Sequence, residues 1–104
     1  MKKEILAECY ELFCVHPRDL VGPTRFGFVL PARFALCKAL TVRGWSHIQT
    51  ADLINRDRST ITNSIMRAEQ RMARDPQYAR KVQRLIDFKP DYMTQPVTEE
   101  LPDE

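Results

Sequence analysis

Apolar side chains recur at helical spacing through most of this 104-residue chain, and that one periodicity excludes most folds open to it. Ile5, Leu6, Cys9, Leu12 and Phe13 share one face of a first helix over residues 3–14. Phe34, Cys37 and Leu40, with Ala35 and Ala39 beside them, give a helix from Pro31 to about Val42 its apolar face. Ile61, Ile65, Ala68 and Met72 form a stripe on a helix that starts after Asp57 and runs to about Arg74. Tyr78, Val82, Leu85 and Ile86 supply the apolar side of a last helix. Three glycines against seven prolines argue against a turn-rich all-β alternative.

The breaks between these stripes carry capping chemistry. Pro17 suits the first position of a short helical turn over residues 16–20. Residues 21–30, with Gly22, Pro23 and Gly27, read as a loop. Gly44 can take the left-handed conformation that ends a helix, and Ser46-His47-Ile48-Gln49 fits a capping box opening a short helix that ends near Ile54. Asn55 tolerates positive φ. Asp75-Pro76 reads as the cap and first residue of the last helix. From Phe88 the pattern stops, and Pro90, Pro96 and Pro102 accompany acids. The prediction is an all-α domain of about six helices with a helix-turn-helix over residues 1–88, followed by a disordered acidic tail or linker at 89–104.

The net charge is only +2, but its distribution is uneven. Residues 56–84 carry eight basic and three acidic side chains, whereas residues 85–104 carry one basic and six acidic. A basic body with an acidic tail points to a polyanionic partner.

Within the basic stretch, Ala51, Asn55 and Ile61 meet the demands of a helix-turn-helix. They give a small residue at the helix crossing, a turn residue that accepts positive φ, and an aliphatic residue pointing back at the first helix. With Ile61, Ile65 and Ala68 inward, Arg58, Ser59, Thr62, Asn63 and Arg67 turn outward. Arg holds guanine bidentately, Asn holds adenine, and Thr offers a methyl or a hydroxyl. Base contact is therefore assigned to Arg58, Ser59 and Asn63. Phosphate contact is assigned to Arg56, Thr62 and Arg67, and to Ser46 and Gln49 at the start of the preceding helix.

Other chemistry is thinly represented. Cys9, Cys14 and Cys37 form no C-x-x-C pair and read as small buried apolar groups, with no metal site expected. His16 and His47 have no evident nucleophile partner, so no enzymatic activity and no cofactor are expected. Trp45, the sole tryptophan, reads as a buried anchor beside the helix-turn-helix. There is no apolar run of membrane-spanning length, no apolar signal region after Met1-Lys2-Lys3-Glu4, and no Gly-rich nucleotide loop. A cytoplasmic protein with neither membrane nor nucleotide as a partner is expected.

Arg56-Asp57-Arg58-Ser59-Thr60-Ile61 is similar to the signature R-D-H-[ST]-T-V of the C-terminal DNA-binding domain of the bacterial replication initiator DnaA. Val15-His16-Pro17-Arg18-Asp19-Leu20 resembles that family's V-S-P-E-D-L. The helix from Pro31 to Leu40, followed by Thr41, resembles its R-Q-x-A-M-x-L-x-x-E-L-T. The resemblance covers residues 5–75. It implies an all-helical domain of the Trp-repressor type, with the helix Asp57–Arg74 in the major groove of double-stranded DNA. It implies base contacts from Asp57, Arg58 and Ser59, with Thr60 beside them, a phosphate contact from Lys38, and a minor-groove contact from Arg25. Arg58 stands where the family has His, which shifts base preference toward guanine. The family's nucleotide-hydrolysing motor is missing.

The expected function is that of a stand-alone site reader acting as a transcriptional regulator, phage-derived or otherwise. Its tail would contact RNA polymerase or another protein. An accessory or phage-type replication origin-binding factor is the alternative, and a protein–protein adaptor with a basic helical face is the rival of another class.

Overall fold

A computed structural model describes residues 2–22, 27 and 29–89. Among them are six helices and no strand: α1 Lys2–Phe13, α2 Pro17–Val21, α3 Val29–Val42, α4 His47–Ile54, α5 Arg58–Arg74 and α6 Pro76–Asp87. Residues 90–104 of the expected tail and the patch Thr24–Phe26, including Arg25, lie outside the described residues.

α3 is the hub, packed against every other helix. Its composition explains this. Val29, Leu36 and Leu40 fill volume, while Ala32, Ala35 and Ala39 let neighbouring helices approach closely, and all six are fully buried. Ile5 and Cys9 of α1, Ile54 of α4, Ile61 and Ala68 of α5, and Val82 and Leu85 of α6 close the core around it. Ile65 and Met72 pack on the rim of that core, as does Trp45, which is half-buried.

Two boundaries differ from the sequence reading. α3 begins at Val29, two residues before Pro31, so Pro31 occupies the first turn, where its missing N–H costs nothing. Val21, Val29 and Leu30 are therefore helical, and the connection is shorter than the predicted loop over residues 21–30. Cys14 is exposed, correcting its reading as a buried thiol. It sits past the end of α1 at φ 58°, where the chain leaves the helical period, and donates its N–H to the Tyr10 carbonyl at 2.7 Å. Cys9 and Cys37 are buried free thiols, and burial pushes both up to about 12.

The helix ends follow the caps. Gly44, at φ 97°, donates to Thr41 while Trp45 donates to Leu40, the paired bonds of a Schellman terminus. Ser46 and Gln49 form the reciprocal capping box of α4, with bonds of 3.1 and 2.9 Å. Asn55 ends α4 in the left-handed region at φ 57°, and the Arg56 N–H reaches back to the Ala51 carbonyl at 3.0 Å.

Candidate nucleic-acid interface

α4, the turn at residues 55–57 and α5 form the helix-turn-helix unit. Ala51 and Ile61 are both buried, as their roles at the crossing require. Thr62 Oγ1 lies 3.3 Å from His47 Nδ1, linking the exposed edge of α5 to the first residue of α4.

The outer surface of α5 is open to solvent. Asp57, Arg58, Ser59, Thr62, Asn63 and Arg67 are exposed and Thr60 is half-exposed, while Ile61, Ser64 and Ala68 face inward. At 3.6 residues per turn, Ser59, Asn63, Met66, Gln70 and Ala73 run down the middle of the outward face. This stripe is uncharged. Arg58 lies on one flank, and Arg67 and Arg71 on the other. Ser59, Asn63 and Gln70 thus offer neutral hydrogen-bonding groups between guanidiniums on the two flanks. Met66 and Gln70 were not singled out from the sequence. Their spacing from Asn63 and Thr62 was the available signal.

The start of α5 is unusual for an aspartate-capped helix. Asp57 occupies the N-cap with extended backbone, yet its carboxylate makes no bond to the first-turn N–H groups. The Thr60 N–H donates to the Asp57 main-chain carbonyl at 3.0 Å, and the carboxylate and the Arg58 and Ser59 N–H groups remain for another partner. Ser59 and Thr60 lie inside the first turn and do not cap it.

The other predicted phosphate contacts are partly committed. Ser46 and Gln49 are exposed but satisfy each other in the capping box. Lys38 projects from α3 and is clamped to Glu69 of α5 at 2.7 Å, with the two side chains 21% and 54% exposed. Arg56 folds back on the main chain. It donates to the Asn55 carbonyl at 3.0 Å and to the Gly22 carbonyl, fastening the turn to the end of α2.

Arg33 reaches the same Gly22 carbonyl from α3, and also bonds the Asp19 and Leu20 carbonyls at 2.7 and 2.9 Å. A Cβ at Gly22 would lie 2.7 Å from the Arg18 carbonyl, so this junction requires glycine. Sequence reasoning missed Arg33, because a lone arginine on a helix gives no local sign that it is 3% exposed and bonded to carbonyls 11 to 14 residues away.

Beside α5 an open cleft of about 590 Å³ runs between its first two turns and α3. Leu30 and Phe34 give it apolar walls, and Arg56, Ser59, Asn63 and Arg67 give it polar ones.

Compared with protein-family models, curated proteins and solved structures, the chain matches none. Among the described residues no group of three His, Cys, Asp or Glu side chains could hold a metal ion, and no helix is long and apolar enough to cross a membrane.

Proposed function

We propose that this chain binds double-stranded DNA sequence-specifically, with the first three turns of α5 in the major groove, and that it serves as a transcriptional regulator. The observation that carries the reading is the exposed face of α5, a neutral stripe through Ser59 and Asn63 flanked by Arg58 and Arg67. An α-helix of this width enters the major groove, and its N-terminal side chains reach furthest toward the bases. Arg58 suits the O6/N7 edge of guanine, Asn63 the N6/N7 edge of adenine, and the free Asp57 carboxylate the N4 amino group of cytosine. The α4 start, with Ser46 and Gln49, supplies phosphate contact on one side, and Arg67 supplies it on the other.

The similarity of residues 56–61 to the DnaA signature supports the same placement and favours origin binding as the second reading. Both readings need the same surface. They differ in where the target site lies.

Selection of bound duplexes from a random pool tests the proposal. The expected result is one recovered sequence preferred by about 10³-fold or more over random duplex. Its log affinity should fall against log salt with a slope near −4 to −5, as for about 4–6 phosphate contacts. Recovery of no preferred sequence together with a flat salt response would refute DNA reading and leave the protein–protein adaptor with a basic face.

A further inference from the structure

The cleft between α3 and α5 combines features that suit a specific kind of ligand. Leu30 and Phe34 offer apolar contact, Ser59 and Asn63 offer hydrogen bonds, and Arg67 presents a guanidinium that is exposed at the rim. An extended peptide that mixes carboxylates with apolar groups complements such a cleft.

This chain carries such a segment. Residues 90–104 hold Asp91, Glu99, Glu100, Asp103 and Glu104, no Lys or Arg, and the apolar or aromatic groups Tyr92, Met93, Val97 and Leu101. Its point of departure is fixed. Arg43, just past the end of α3, donates to the Leu85 and Ile86 carbonyls at 3.1 and 2.7 Å and to the Phe88 carbonyl. The end of α6 is thereby held against the end of α3. From Arg43 back to Phe34 is about 14 Å along the helix. Ten extended residues from Lys89 to Glu99 span about 33–36 Å. The acidic cluster at 99–104 therefore reaches the cleft with length to spare.

We propose that the acidic segment 90–104 docks in cis in the α3–α5 cleft, its carboxylates on Arg67 and the cleft rim. The consequence for DNA rests on the function proposed above. A segment lying there covers Ser59 and Asn63 and competes with duplex for the reading face, so DNA must displace it. Random duplex and target site meet the same open fraction, so the device lowers apparent affinity for each by the same factor.

The test uses the full-length chain and a full-length variant neutralised at five positions: Asp91→Asn, Glu99→Gln, Glu100→Gln, Asp103→Asn and Glu104→Gln. Amide spectra of both are compared without DNA. Docking in cis predicts differences at Ser59, Asn63 and Arg67 that are independent of protein concentration and vanish in about 0.5 M salt, where the Debye length falls to a few ångströms. Superimposable spectra at low salt, or differences confined to other helices, would overturn the docking. Differences that disappear on dilution would place the segment on a neighbouring copy and overturn the in cis assignment. Duplex binding is then a separate measurement. The neutralised variant should bind random duplex about 5-fold or more tightly than the wild type at low salt, and the gain should shrink as salt rises. If neither form binds any duplex while the spectra differ as expected, the DNA reading fails and the docking stands.

Discussion

α5 and α6 follow one another in the chain, each begins at an aspartate, and the two aspartates do opposite things. Asp75 spends its carboxylate on its own helix, accepting the N–H groups of Gln77 and Tyr78 at 3.1 Å each. Asp57 makes no such bond. α6 is also tied down along its length. Tyr78 donates to the Pro31 carbonyl at 2.6 Å and its ring lies edge-on to Phe13, while Arg71 and Lys81 sit over those two rings at 5.2 and 5.3 Å. The first two turns of α5 instead hold Asp57, Arg58, Ser59 and Asn63 out in solvent. The start of α6 uses its aspartate to fold, whereas the start of α5 leaves its aspartate unbonded to its own helix.

The largest expected effect belongs to Arg58→Ala. It should weaken binding to the selected duplex by about 1–3 kcal/mol, relax choice at one base pair, and leave thermal stability within about 0.5 kcal/mol. Equal loss on every sequence would make Arg58 a phosphate contact and blunt the contrast. Asp75→Ala should do the reverse, costing about 1 kcal/mol of folding stability in urea titrations with the same duplex preference. Asp57→Ala should leave stability nearly unchanged and alter base preference. A stability loss as large as that of Asp75→Ala would erase the distinction between the two caps.

Alkali probes the buried side beneath α5. Cys37 packs there with Ser64 as a hydrogen-bond partner, and Cys9 lies in the same core. Burial raises both thiols from 9.0 to about 12 in the fold, so the unfolded chain loses these protons first. Their stabilising effect is complete below pH 9 and is lost as pH rises from 9 toward 12. Urea unfolding between pH 8 and pH 10 should show a fall of order 1 kcal/mol per thiol. A flat profile would mean that the thiols meet water. Cys14, being exposed, should react with a thiol reagent in the native state while the other two do not.

The smallest effect concerns the clamp on Lys38. Glu69→Gln should change stability by less than about 1 kcal/mol, because the pair is partly exposed. It should nonetheless release Lys38 toward phosphate and steepen the salt slope of duplex binding by about one. An unchanged slope would make Lys38 a purely structural partner of α5.

Legibility in the sequence tracked the range of the interaction. The capping box at Ser46, the left-handed turn at Asn55, the glycine terminus at Gly44 and the Asp75 cap involve residues a few positions apart, and pattern reading found each of them. The inward stripe of α5 was equally visible because a helix repeats every 3.6 residues. Arg33, Arg43 and Arg56 were not. Each looks like a solvated surface cation, yet each bonds carbonyls brought near only by the packed fold, up to 45 residues away for Arg43. The start of α3 was misplaced because proline is tolerated throughout a first turn. The cleft depends on how α3 crosses α5, which no local pattern specifies.

Amide shift mapping during titration with the selected duplex tests the central claim most directly. The account predicts that the largest changes fall at residues 57–63 of α5 and at the start of α4, with α6 silent. Changes centred on α6 and the end of α5, with Arg58, Ser59 and Asn63 unmoved, would contradict it.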